Sequence, residues 1–386
     1  MKIIFAIIFI VLLFALLNYY IGRRTLTFVK SYNFEINTIV FWSVFGLLSM
    51  SYIIAKFAER LLPDFIGNAI NIIGGYWLAV MLYFIITILV IDIFRMINRR
   101  ANFAKYIGIN SKNSDSVSGI IVFIILAMIL AFGTYNGRHS VVRNYDISIS
   151  KDAKNISELN IVMVSDIHIG SVIHNGRVTS MVDQINSCKP DIVLLAGDII
   201  DGNMDSFINE SMWKTFSKIK APLGVYAVPG NHDYISGNTS DLINEFNKAG
   251  IKTLVDEKVK VADSFYIIGR NDLSSESNSH KKRRSLEELL KGVDKNLPLI
   301  IMDHQPYHLE EAESNGIDIQ FSGHTHRGQL FPNDLITKKI YELDWGYLKK
   351  SQLYAFVSSG FGTWGPPIRI GSRSEIVNIK VSFNNK

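Results

Sequence analysis

The sequence of 386 residues predicts a two-part protein: an all-α membrane domain of four transmembrane helices over residues 1–140, then an α/β domain over residues 141–386. Three observations carry that expectation. Only 19% of residues are charged and 48% are hydrophobic, whereas about a quarter are charged in ordinary soluble domains. The apolar excess is concentrated in four runs before residue 140. Beyond it, short apolar strands alternate with amphipathic helices, as in layered α/β domains. The apolar content excludes a disordered chain, and only 9 prolines with no short repeat exclude a collagen-like or low-complexity one. A disulfide scaffold is excluded because Cys188 stands alone. The net charge of +5 need not mean a nucleic-acid partner, because much of the basic charge flanks the apolar runs.

The first run, Ile3 to Leu17, is followed by Asn18, Tyr19 and Tyr20; the second, Ile39 to Ala55, is closed by Lys56. The third, Ala69 to Ile91, carries Trp77 and Tyr83 and ends at Asp92 and Arg95, and the fourth runs from Val117 to Phe132. With their flanks, these runs meet the roughly 20 apolar residues that a helix needs to cross a bilayer. No small-x-small cleavage site follows the first run, so it is expected to remain as an uncleaved span. The partner is then a lipid bilayer. Arg23, Arg24 and Lys30, with Arg95, Arg99, Arg100, Lys105 and Lys112, form the larger and tighter basic set. The opposite side has Lys2, Lys56, Arg60, Arg138, Arg143 and Lys151. The positive-inside rule places the first set in the cytoplasm. The expectation is a multi-pass cell-membrane protein whose second domain is extracytoplasmic.

In that domain, Tyr145 to Ser150 reads as an edge strand and Asn160 to Val164 as a buried strand ending in Ser-Asp-Ile-His. Gly176 to Cys188 reads as a helix with Val178, Met181, Val182 and Ile185 on one face. Asp191 to Ala196 is a second buried strand ending in Gly-Asp, followed by a helix over Glu210 to Lys218. Strand Gly224 to Val228 leads into Pro-Gly-Asn-His-Asp, and Asp241 to Ala249 is a helix. Lys258 to Ile268 gives two strands and Ser285 to Lys291 a helix. Leu299 to Met302 is a strand ending in Asp-His, and Ile317 to Phe321 one ending in Ser-Gly-His-Thr-His. Leu353 to Val357 and Glu375 to Val381 complete the strands. The run His280 to Arg284 is expected to be a solvated loop before a helix, with Ser285 and Glu288 as a capping box. His174 and His308 read as ordinary surface or pocket-rim residues, and His139 as a membrane-flank residue.

Five apolar strands thus deliver Asp166 and His168; Asp198 with Asp201; Asn231, His232 and Asp233; His304; and His324 with His326. Ligands of open α/β sheets gather at such carboxyl ends. Singly, each element has an ordinary reading, as a turn, a helix cap or a core histidine. Together and in order they are a metal-ligand set rich in carboxylate and imidazole, with no thiol. That mix suits Mn, Fe, Zn or Co better than Mg.

Asp166-x-His168, Gly197-Asp198-x-x-Asp201, Gly230-Asn231-His232-Asp233, His304 and Gly323-His324-x-His326 resemble the five-block signature of calcineurin-like metallophosphoesterases. Asp303 to Pro306, Ser322 to Gln329 and the tail Ser358 to Arg369 resemble its bacterial membrane-associated branch. The resemblance covers residues 145 to 386. It implies a four-layer sandwich, two β-sheets between helices, with two divalent metal ions above it. It further implies that Asp166, His168, Asp198 and His326 hold one ion. Asp198, Asn231, His304 and His324 would hold the other, and Asp198 would bridge. His232 resembles the histidine that approaches the leaving group, with Asp201 orienting it. The implied function is hydrolysis of a phosphodiester or phosphomonoester by metal-activated hydroxide attack on phosphorus.

The chain departs from the family's protein phosphatases at Asp201-Gly202-Asn203, where those enzymes have Asp-Arg-Gly. Losing that arginine removes a bidentate phosphate clamp. Arg327 and Arg369 are the candidate substrate-binding substitutes. The membrane domain points to a lipid-linked or envelope substrate. The alternatives are a phosphodiesterase acting on soluble nucleotides and, from another class, a non-catalytic metal-binding membrane sensor.

Overall fold

Alternation along the strands decides the layering. In β2 (Glu158–Val164), Ile161 and Met163 point to one face and Val162 and Val164 to the other, and all four are buried. A strand buried on both faces must lie inside a sheet that is itself covered on both sides. The computed structural model describes residues 2–32, 34–58, 61–101, 114–202, 204–237, 239–279 and 282–384. Arg60, Lys105, Lys112, Asn203, His280 and Lys281 lie outside the described residues. The chain divides into two compact units, residues 1–134 with 365–368, and residues 135–364 with 369–386.

The first unit is built from α1 (Lys2–Lys30), α2 (Thr38–Ala58), α3 (Asp64–Ala101) and most of α4 (Ser114–Arg138). All four are long and apolar enough to cross a membrane, with candidate spans of 27, 20, 30 and 22 residues. The first, third and fourth helices extend beyond the apolar runs because their more polar ends continue the same helix. Packing is partly polar: Trp77 Nε1 donates to Asn18 Oδ1 at 2.9 Å, a pair that satisfies both groups in an apolar setting. Arg24 meets Asp92 at 2.9 Å, which places the ends of the first and third apolar runs at the same end of the bundle.

The second unit holds two six-stranded sheets. The first has the order β1 (Val141–Ile149), β12 (Glu375–Phe383), β2, β3 (Ile192–Ala196), β4 (Val225–Val228) and β5 (Ile251–Thr253). Its β2 to β5 pairs are parallel, whereas β12 runs antiparallel to β2. The second sheet has the order β10 (Gly346–Lys350), β11 (Leu353–Val357), β9 (Ile319–Ser322), β8 (Leu299–Met302), β7 (Phe265–Gly269) and β6 (Glu257–Val261). Its central strands, β11, β9, β8 and β7, are parallel.

Ile161, Met163 and Leu194 from the first sheet pack against Ile300, Met302 and Phe321 from the second, which makes the central core. On the outer face of the first sheet, Val162, Val164 and Leu195 meet Val178, Met181 and Ile185 of α5 (Asn175–Ser187). Outside the second sheet, Leu299 and Ile301 meet Leu286 and Leu289 of α11 (Leu286–Leu289) and Leu309 of α12 (Leu309–Ser314). The result is helices, sheet, sheet, helices: the expected four-layer sandwich.

Two expectations change. The helix expected over Glu210 to Lys218 is two short ones, α6 (Asp205–Asn209) and α7 (Trp213–Phe216). Ser211, between them, has φ 49, which a continuous helix cannot hold. The basic run before α11 is not wholly solvated, because the Arg283 side chain is buried and paired with Asp303. A carboxylate as buried as Asp303 requires that countercharge. The capping box of Ser285 and Glu288 is present.

Candidate dinuclear metal centre

Each parallel strand stops as its chain turns over the top of the sheets, and several residues there adopt positive φ: Asp166 at 51, His168 at 53, Asp198 at 54, His324 at 70 and His326 at 49. Strain at so many chemistry-bearing residues marks an over-determined site. Space is tight as well. A Cβ on Gly323 would collide with the Asp166 carboxylate, and one on Gly197, at φ 87, would collide with the His304 ring. Glycine at these two places lets the loops close on one another.

Three groups of side chains result. Asp166, His168 and His326 form one, Asp198, His304 and His324 another, and His168, Asp201 and His232 a third at the rim; within each, the potential ligand atoms lie within 4.8 Å of one another. His168 Nε2 is 3.0 Å from His326 Nε2, which in turn is 3.6 Å from Asp166 Oδ1. In the second group, His304 Nε2 lies 3.1 Å from Asp198 Oδ2 and 3.2 Å from Asn231 Oδ1. His324 Nδ1 is 2.7 Å from the same Asn231 oxygen. Asp198 Oδ2 also lies 3.9 Å from His168 Nε2, so this carboxylate stands between the first two groups.

Supporting bonds fix these orientations. His304 Nδ1–H donates to the Ala196 carbonyl at 2.8 Å, leaving Nε2 to face Asp198 and Asn231. The His324 amide donates to Asp166 Oδ1 at 2.9 Å, and the His232 amide to Asp198 Oδ1 at 2.8 Å. Asp233 accepts from the amides of Gly230, Ile199 and Ile200, tying the turns after β3 and β4 together. Burial, reinforced by Asp198, pushes the Asp233 pKa up to about 7 against those bonds.

The electrostatics hold two of the imidazoles neutral, while against burial Asp198 raises the pKa of His304. Burial lowers the His168 pKa to about 4 and holds His326 well below the imidazole range, which keeps both rings neutral as ligation requires. Burial alone would raise Asp198. The charge and hydrogen bond of His304 outweigh it, so Asp198 stays far below the usual carboxylate range. Burial, reinforced by the charge of Asp198, raises Asp166 against the charge of His304 and the hydrogen bond from Ser165. Two neutral imidazoles face each other across 3.0 Å beside two buried carboxylates. That donor set fits a pair of divalent ions.

Asp201 and His232 stand at the mouth, Oδ1 to Nδ1 at 3.4 Å. Burial pulls the His232 pKa down, but its hydrogen bond to Asp201 and the charges of Asp198 and Asp201 leave it above the ordinary value. The two arginines are engaged by other groups. Arg327 stacks on Trp345 at 4.0 Å from the ring centroid. Arg369 is fully buried. It donates to the Gly360 and Gly362 carbonyls at 3.2 and 2.6 Å and to Ser372 Oγ at 3.2 Å, and its Nη2 lies 3.1 Å from His326 Nδ1. A guanidinium so committed has no free fork for a phosphate, and this placement suits a positioning role. The sequence pattern does not single out Ser165, whose hydroxyl donates to Asp166, or Gln329, which holds the Trp364 backbone. Only Ser165 had a local signal, its place beside Asp166.

Two parallel-centred sheets with a carboxylate–imidazole cluster at their common carboxyl edge define a metallohydrolase-like α/β sandwich. The family model for calcineurin-like phosphoesterases matches residues 159–328. An uncharacterized metallophosphoesterase of Aquifex aeolicus (strain VF5) is 33% identical over 242 residues, covering 62% of this chain and 91% of that one. A transmembrane protein with metallophosphoesterase domain from Danio rerio is 29% identical over 271 residues, covering 67% and 62%. An uncharacterized metallophosphoesterase of Helicobacter pylori (strain J99 / ATCC 700824) is 32% identical over 237 residues, covering 59% and 61%. The chain thus spans about three-fifths of the Danio and Helicobacter proteins. It belongs to the calcineurin-like phosphoesterase family.

Proposed function

We propose that the protein is a membrane-anchored phosphoesterase that uses two divalent metal ions, and that it acts on a phosphodiester or phosphomonoester at the membrane surface. The observation that carries this reading is the pair of ligand groups with Asp198 between them. Asp166, His168, Asp198 and His326 would hold one ion, and Asp198, Asn231, His304 and His324 the other. The two ions, when bound, supply Lewis-acid binding of the phosphoryl oxygens and an activated water for in-line attack. His232, oriented by Asp201, faces the departing oxygen and donates a proton to it. A pure binding module has no use for that dyad. The four apolar helices favour a lipid-linked or envelope substrate, with the sandwich outside the cytoplasm.

The test is the full chain in detergent, stripped of metal and reloaded in turn with Mn, Zn, Fe and Co. Hydrolysis of bis(4-nitrophenyl) phosphate or 4-nitrophenyl phosphate that returns with metal supports the reading. Two bound metals with no cleavage of either ester would make the protein a metal-binding membrane sensor.

A further inference from the structure

Trp364 is half exposed, and its ring centroid lies 5.8 Å from that of His232 in an edge-to-face arrangement. The loop leading to it is not loose. Phe361 and Thr363 are buried, and the Phe361 amide donates to the Ser165 carbonyl at 2.9 Å. Gln329 then clasps the Trp364 backbone on both sides: its Nε2 donates to the Trp364 carbonyl, and its Oε1 accepts from the Trp364 amide, each at 2.9 Å. Gln329 is itself buried, and its own amide donates to the His326 carbonyl at 2.9 Å. A buried amide side chain therefore links the turn carrying His326 to an indole left open to solvent. Leaving so large an apolar surface exposed forgoes burial energy, and it is placed beside the histidine assigned to the departing oxygen.

We propose that Trp364 is a specificity-determining residue: it is the platform against which an apolar leaving group packs when its oxygen is at His232. The inference rests on the phosphoesterase reading, and on His232 facing the leaving group in particular. An atom within hydrogen-bond reach of His232 has its next substituent within contact of a ring 5.8 Å away. Aromatic and alkyl leaving groups share the required chemistry, an apolar face without charge. Gln329 is a positioning residue that sets the height and angle of the indole.

The experiment uses the full chain loaded with metal and compares two pairs of methyl phosphodiesters, naphthyl against phenyl and hexyl against ethyl. Members of each pair are close in leaving-group acidity and differ in apolar area. The wild type should prefer the larger member of at least one pair by about 2- to 10-fold in kcat/KM, the range an aromatic contact supplies. Trp364→Ala should abolish that preference, Trp364→Phe should keep part of it, and Gln329→Ala should weaken it, with metal content unchanged in all three. A preference confined to the aryl pair identifies a stacked ring, and one in both pairs identifies general apolar packing. Identical ratios in wild type and Trp364→Ala would overturn the proposal while leaving the phosphoesterase reading intact. Affinities for naphthylmethyl- and phenylmethylphosphonate, in which carbon replaces the scissile ester oxygen, provide the readout if no ester is cleaved. A naphthyl preference lost in Trp364→Ala would then uphold the platform, and equal affinities would remove it.

Discussion

Replacing Arg369 with methionine tests how the centre is braced. The guanidinium is fully buried, and it holds the Gly360 and Gly362 carbonyls, Ser372 Oγ and the His326 ring. Its charge also faces the carboxylates of Asp166 and Glu375. Burial lowers its pKa to about 10, so it remains cationic at neutral pH. Methionine fills most of the aliphatic volume, so the cavity contribution is small. What is lost is the set of donors to buried acceptors, at about 1–3 kcal/mol for each acceptor left unsatisfied, and the countercharge of a buried ion, at about 3–5 kcal/mol. These overlap, and the expected destabilisation is roughly 3–5 kcal/mol. For a unit of this size that lowers Tm by about 6–20 °C. Thermal unfolding of the full chain in detergent, with metal analysis alongside, gives the readout. Arg369→Met should lose stability and the ion beside His326, and Arg369→Lys should fall between, because lysine keeps the charge without the fork. Unchanged Tm and metal content, with a raised KM alone, would return Arg369 to the substrate.

Three further outcomes are expected from substitutions, and one from topology. His232→Ala should lower turnover by roughly 10²–10⁴-fold, less for nitrophenolate than for alkoxide leaving groups, with metal retained; equal losses for both would remove the acid role. An acid must carry its proton, so activity falls as pH rises through the His232 pKa. Asp201→Asn, by removing the partner that raises this pKa, should move the alkaline limb of the kcat/KM profile to lower pH, and an unmoved limb would contradict the dyad. Asp303→Asn leaves Arg270 and Arg283 without their shared buried carboxylate and should cost about 3–5 kcal/mol in denaturant unfolding; a neutral result would show the cluster to be dispensable. Protease added to intact cells should cut near Ser275, and protection until lysis would reverse the proposed orientation.

Much of this architecture is written in local pattern. The apolar strands ending at Asp166, Asp198, Asn231, His304 and His324 were legible because each has a buried run followed at once by polar chemistry. The buried face of α5 was legible from the helical spacing of Val178, Met181, Val182 and Ile185. What escaped depends on distant partners. β5 is only three residues long. β10 carries half-buried residues without clear apolar alternation and is defined by its pairing with β11. Arg283 lies in a basic run that looks solvated until Asp303 is folded against it. Arg369 reads like a phosphate ligand, because a sequence does not reveal that its donors are used by carbonyls of its own loop. Trp364 shows the same limit, since the clasp that holds its backbone comes from Gln329, 35 residues earlier.

The central claim is that Asp198 serves two metal ions at once. The most direct measurement is metal analysis, with anomalous scattering, on the full chain and on Asp198→Asn. Two ions are expected in the wild type, about 3.5–4 Å apart with Asp198 touching both, and at least one ion should be lost with activity in the variant. Two ions held as tightly by Asp198→Asn as by the wild type would contradict it.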